Sequence, residues 1–414
     1  MRIGIDYCGY NPKYPGGLHN FSLGLTKGLL NSVGHADSIV IIASSNNESA
    51  VKALLANLPV TFITVSIGKW TRYINWALWV FAWAIRKFKL RFWWDRYFRS
   101  RTMKFIDESV DVVIIPTAVL NFHALKTPSI LCVHDIQQEY HPEFFPLAKR
   151  IIRWGSYRAS CWRAAAIQAS SKYISDCLIE KFAFIEPAKV FIAHEGVDFG
   201  EFSLTPQGER PEGLGDLGVD GFVFYPAQLW PHKNHLLLID ALAMFRDKTG
   251  FELPCVLTGY DYGHWRMVQD RIGEHELKCV YYLGRVSHSQ MLWLYGNCRA
   301  VLALGLHESS SLPVREGAVF GKPLICVSIA PNIETQEFLR LRLVDKDNPI
   351  DLAGAFTELV EDGENRFADS AENAHLVKVF DWTCVARIYI SVAKSLGSVV
   401  PPSNGSVDTG KAAV

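Results

Sequence analysis

Short apolar runs recur along this chain with stretches of helical period between them, and no other feature narrows its fold so far. The runs are Arg2–Ile5, Ser38–Ile42, Asp111–Ile115, Ser129–Val133, Ala165–Ala169, Val190–Ala193, Phe222–Tyr225, Cys255–Thr258, Val280–Leu283, Ala300–Ala303 and Leu324–Val327. Val, Ile and Phe dominate them without polar alternation, the pattern of strands buried on both faces of a parallel sheet. Intervening segments such as Asn234–Arg246 and Ser289–Asn297 supply right-handed helical crossovers. With 414 residues the chain exceeds one ordinary core, so two doubly wound α/β halves fit better than a single large sheet.

The polar, Pro/Gly-rich stretch from Ser203 to Gly215 has no periodicity and precedes a fresh strand, as a linker does. It sets an N-terminal domain at 1–205 and a C-terminal one at 206–383. A last helix over 384–397 is expected to return to the first domain, and 398–414 reads as a disordered tail. The nine cysteines form no CxxC pair, and several sit inside apolar runs. Buried reduced thiols account for them better than disulfides or a zinc site. Lys plus Arg balances Asp plus Glu at 42 each, so no global charge draws the chain to nucleic acid. The start reads directly as a strand rather than a leader. No run reaches the roughly 18 to 20 apolar residues of a spanning helix. A cytoplasmic protein is expected, at most peripheral at the inner face of the membrane.

One segment departs from the pattern. Residues 70–104 hold six of the twelve tryptophans, and Arg72 to Arg101 contains eight basic residues against the single acid Asp95. Tryptophan with Arg and Lys on a helical stretch suits peripheral contact with an anionic bilayer. A helical pair packed on the first domain, with its basic face in water, explains the same composition.

The residues with most chemical content lie between Val301 and Val327. A strand ends, a small-residue loop follows, and a helix begins near Pro313, a residue suited to a first helical turn. Glu308 and Glu316 stand eight residues apart across that loop. Loop amides and a helix N-terminus beyond the carboxyl end of a parallel strand suit phosphate oxygens. Either acid alone could equally be a solvated surface residue.

Glu308-x7-Glu316 with Leu312-Pro313 and Gly321-x-Pro323 resembles the Glu-x7-Glu motif of retaining glycosyltransferases of family four. Three further blocks agree: Gln228-Leu-Trp-Pro-His232-Lys233-Asn-His235, Tyr282-Leu-Gly284-Arg285-Val-Ser, and Ala193-His-Glu-Gly196-Val197-Asp198. Gly16-Gly17 after the first strand and Val133-His134-Asp135 after the fourth sit where that family has a glycine loop and an active-site His-Asp. The resemblance runs from residue 1 to about 397. It implies the GT-B fold, two Rossmann-like, doubly wound parallel-sheet domains facing a cleft.

The resemblance also implies roles. Lys233 would stabilise the departing diphosphate as a point charge. Glu316 would accept hydrogen bonds from the ribose hydroxyls, and Glu308 would touch the hydroxyls of the donor sugar. His134 would bond the sugar or orient phosphate. Gly16, Gly17, Gly284, Arg285, Ser309, Ser310, Ser311 and Leu312 would line the donor. The implied substrates are a GDP- or UDP-sugar, GDP-mannose among them, and a glycan or lipid-linked acceptor of cell-surface polysaccharide or glycolipid synthesis. No cofactor and no metal ion enter, since the histidines are irregularly spaced and no Asp-x-Asp ends a strand.

Two departures stand out. Gln228 occupies a place commonly held by Arg, and Ser309-Ser310-Ser311 replaces the usual Gly-Phe-Gly. They motivate a second reading, a non-catalytic nucleotide-sugar-binding or scaffold protein of the same shape. A phosphorylase or sugar-phosphate epimerase fits less well, because no pyridoxal-binding lysine context is evident.

Overall fold

The structure, a computed structural model, describes residues 1–12, 17–34, 36–66, 100–122, 125–199, 208–215, 217, 221–361 and 367–398. Gly16, residues 70–99 of the aromatic-basic segment, positions 203–207 of the linker and the tail past 398 lie outside them.

Thirteen strands in the described residues form two sheets. The first holds β1 (Arg2–Asp6), β2 (Ser38–Ser44), β3 (Thr61–Val65), β4 (Val112–Ile115), β5 (Ser129–Val133), β6 (Ala166–Ala169) and β7 (Val190–Ile192), in the order β3-β2-β1-β4-β5-β6-β7. The second holds β8 (Val223–Pro226), β9 (Cys255–Thr258), β10 (Val280–Tyr282), β11 (Ala300–Ala303), β12 (Leu324–Val327) and β13 (Arg342–Val344), in the order β10-β9-β8-β11-β12-β13. The ladders are parallel, with Ile3 opposite Ile39 and Val112 in the first sheet and Val223 opposite Cys255 and Ala300 in the second. Two parallel-sheet α/β domains, as expected, are therefore present.

Side-chain alternation explains why the sequence shows none between polar and apolar. Along β8 and the residue before it, Val223 and Tyr225 enter one buried cluster while Phe222 and Phe224 enter another. Cys255 and Leu257 part from Val256, and Ile325 and Val327 from Leu324 and Cys326, in the same way. Helices cover both faces, so both must be apolar. No cysteine forms a disulfide, and eight of the nine are buried. Among the described residues no helix is long and apolar enough to cross a membrane.

The sequence missed β3 and β13. Each is an edge strand in which half or more of the residues reach solvent. Thr-Phe-Ile-Thr-Val and Arg-Leu-Val consequently carry polar residues that blur an apolar run. Helix limits moved too. The helix expected over Asn234–Arg246 spans His235–Thr249, because Asn234 is left-handed (φ 56°) and the true stop is Gly250. Gly321 shows what the Gly-x-Pro element does locally. At φ 63° its N–H donates to Ala318 O, and that of Lys322 to Gly317 O, ending the helix Leu312–Val319.

The chain divides into two compact units. One comprises Met1–Cys132, Ile151–Gln168 and Ala386–Val414; the other comprises Val133–Arg150 and Ala169–Val385. The His134 turn thus groups with the second sheet, although its strand belongs to the first.

Candidate active site

In the second unit, β8 and β11 are neighbours from which the strand order runs outward in both directions. Connections leave such a pair toward opposite sides, opening a crevice beyond their carboxyl ends. The loops after these strands carry Gln228–Lys233 and Leu304–Ser311, joined by Leu306 N–H donating to His232 O at 2.8 Å. Tyr225 at the end of β8 donates its hydroxyl to Lys233 O at 2.5 Å and fixes the turn from which the lysine projects.

There Lys233 Nζ lies 2.6 Å from Glu308 Oε1, with the two side chains 21% and 17% exposed. Seventy-five residues separate them, and the switch point brings them together. Gly305 makes this possible: a Cβ there would overlap Glu308 Oε1. Burial first, then the charge of Lys233 and neighbouring His307 and His141, push His232 down to about 3. Burial likewise brings His307 down to about 4 against the opposing pull of Asp135. These imidazoles are neutral at pH 7, and the cationic charge here rests on Lys233 and a buried arginine.

That arginine is Arg315, 2% exposed, one residue before Glu316. Burial lowers it to about 10 while Glu195 and Glu334 oppose the shift, so it stays charged. Its Nη1 donates to Glu195 O at 2.8 Å and to Ser310 Oγ, and the guanidinium lies 4.4 Å over the Phe380 ring. Ser311 Oγ donates to Asn332 Oδ1 at 2.7 Å rather than capping the helix. Leu312 N–H bonds Ser310 O, Val314 N–H bonds Ser311 O, and Pro313 has no N–H. The serine loop is therefore braced from behind, and few amides of the first helical turn are left for an anion.

Glu316 is half-buried and accepts from the hydroxyl of Tyr295, itself edge-on to Phe224 at 5.2 Å. Gln228 is exposed, and its Oε1 accepts from Tyr260 N–H at 2.5 Å. An arginine there could not accept that bond, which gives Gln228 a local reason to be an amide. With Oε1 engaged, Nε2 is the end that can donate to a ligand. Gly284 turns at φ 63° and its carbonyl accepts from Gly259 N–H at 2.8 Å, while Arg285 is exposed.

His134 Nδ1 is 3.1 Å from Glu195 Oε1. The Ser170 hydroxyl is 3.1 Å from His134 O and 3.5 Å from Ser309 O, so the His134 turn and the serine loop adjoin within this unit. The second unit thus gathers His134, Lys233, Glu308, Ser309–Ser311 and Glu316. Gly17 is exposed at the start of the helix Gly17–Ser32, in the first unit. Sequence reasoning overlooked Ser170, Glu195, Arg315, Tyr295 and Asn332; Arg315, a charged residue where a short helix turns inward, carried the one available signal. Among the described residues no cluster of His, Cys, Asp and Glu is arranged to hold a metal ion.

Two parallel doubly wound sheets, the second with a charged site at its switch point, define a GT-B architecture. Residues 215–375, which include the strands of the second sheet, match the family described as Glycosyl transferases group 1. The chain is similar to the O-antigen chain mannosyltransferase B of Escherichia coli, 25% identical over 171 residues, which span 40% of this chain and 44% of that protein. Its fold is similar to that of Anabaena HepE in complex with UDP and glucose (TM-score 0.67, 15% identity, 95% of this chain and 100% of that one). It also resembles sucrose-phosphate synthase from Thermosynechococcus elongatus (TM-score 0.67, 13% identity, 97% and 100%).

Proposed function

We propose that this chain is a retaining glycosyltransferase of family four that moves a sugar from a nucleotide-sugar to a glycan or lipid-linked acceptor in polysaccharide or glycolipid synthesis. The observation that carries the reading is the Lys233–Glu308 pair, 2.6 Å apart at the switch point of the second sheet. Cleavage of a sugar–diphosphate bond leaves negative charge on phosphate, which a fixed ammonium stabilises more in the transition state than in the ground state. In the reading, Lys233 passes from Glu308 to the diphosphate, and Glu308 turns to the sugar hydroxyls. Front-face attack follows, with the departing phosphate taking the acceptor's proton, and no metal or cofactor takes part. The donor would occupy 206–383 and the acceptor 1–205, with the helix 384–397 returning to the latter. A mannosyltransferase among the relatives favours GDP-mannose, and the UDP complex of the Anabaena protein favours a uridine donor.

Calorimetric titration with GDP and UDP distinguishes the donors and tests the ribose contact. Tyr295 takes only part of the acceptor capacity of Glu316. Glu316→Ala is expected to weaken whichever nucleotide binds by roughly 1 to 3 kcal/mol, the cost of losing hydrogen bonds to a charged group. Unchanged affinity would remove Glu316 from the site.

Gln228 supports the second reading, a binding or scaffold protein, because an amide adds no charge to the phosphate clamp. Binding without turnover across a panel of nucleotide sugars would establish it. Residues 70–104 are proposed to touch an anionic membrane from the cytoplasmic side. Failure of the full chain to sediment with anionic vesicles at low salt would remove that element.

A further inference from the structure

The family resemblance gives His134 a role but says nothing of what holds its ring. An imidazole can present either nitrogen as acceptor, and the partner of the other nitrogen decides which. Here Nδ1 faces Glu195 Oε1 at 3.1 Å, with the two side chains 20% and 17% exposed. A carboxylate only accepts, so the neutral ring must carry its proton on Nδ1 and its lone pair on Nε2. Glu195 is itself held. Arg315, 2% exposed, donates from Nη1 to the carbonyl of Glu195 at 2.8 Å and to the hydroxyl of Ser310. One guanidinium therefore ties the partner of His134 to the loop between the two acids, and the Ser170 hydroxyl lies near carbonyls on both sides. Burying a guanidinium is costly unless its hydrogen bonds and neighbours compensate.

We propose that Glu195 and Arg315 are positioning residues: Glu195 sets the tautomer of His134, and Arg315 locks that dyad to Ser310. Resting on the glycosyltransferase reading, the inference concerns how the donor sugar meets an acceptor nitrogen on His134 rather than a donor one. The test is long-range 1H–15N correlation of the histidine rings in the full chain near pH 8.5, where an unperturbed imidazole is neutral. His134 is identified by the signals lost in His134→Gln. The expected spectrum shows His134 protonated on Nδ1. In Glu195→Ala the proton should shift to Nε2 or divide between the nitrogens. Glu195→Gln, which keeps the size but whose amide can accept or donate, should also lose the exclusive Nδ1–H form at near-wild-type melting temperature, which guards against an effect of misfolding. Arg315→Met should give mixed tautomers with Glu195 intact. A purely structural role would lower the melting temperature and leave the tautomer unchanged. Nε2–H in the wild type, or Nδ1–H persisting in Glu195→Ala, would overturn the proposal. The readout needs no turnover: Nδ1–H without transfer of any sugar sinks the enzyme reading alone, and turnover with Nε2–H sinks this one alone.

Discussion

Lys233→Met is expected to lower turnover by about 10²- to 10³-fold at saturating donor, the loss seen when one preorganised stabiliser of developing negative charge is removed. The reason is geometric. The Tyr225 hydroxyl anchors the Lys233 carbonyl in the loop after β8, so only the side chain has to swing from Glu308, 2.6 Å away, to the diphosphate. The neighbouring histidines are kept neutral by burial and by the lysine's own charge, and they cannot take its place. Methionine preserves the apolar stem and deletes only the charge. The variant leaves Glu308 without its cation, so its melting temperature must be recorded beside kcat. A stable variant with undiminished kcat would refute the electrostatic account. Lys233→Arg should recover part of the rate, because charge returns in a planar fork rather than a compact ammonium.

The second large effect belongs to the core. Phe224→Ala is expected to cost about 3 to 5 kcal/mol of stability, the usual range for deleting a fully buried aromatic ring. Phe224 lies in the middle of β8, wholly excluded from solvent, edge-on to Tyr295 at 5.2 Å. That tyrosine donates its hydroxyl to Glu316. The cavity therefore loosens both the sheet and the support of the proposed ribose carboxylate, and nucleotide affinity should fall as well. Thermal unfolding with and without nucleotide reads both effects. A loss below about 1 kcal/mol would mean that the site had collapsed around the gap.

Much of the second half could be read from residue order because its strands are buried on both faces. Phe222–Tyr225, Cys255–Thr258, Ala300–Ala303 and Leu324–Val327 each match an observed strand to within a residue. Edge strands Thr61–Val65 and Arg342–Val344 escaped notice, since one open side tolerates Thr and Arg and the apolar signal thins. For the site, Glu308 and Glu316 were legible through their spacing, and Lys233 through its block. Their partners were not. Glu195 reads as an ordinary loop acid, and Ser170 as one more strand-end serine. Tyr295 reads as a helix aromatic, until folding places its hydroxyl on a carboxylate twenty-one residues away.

The order of residues by itself determined that this chain builds two parallel-sheet α/β domains and where most of their strands run, because burial on both faces imposes apolar composition locally. Only the tertiary structure decided that Lys233 meets Glu308, that Glu195 faces His134, and that Arg315 turns inward to hold Ser310. The first two pairings join residues 75 and 61 positions apart, and the third fixes a side chain's direction across five residues. Such choices follow from which strands become neighbours at a switch point, and no local propensity or spacing encodes that.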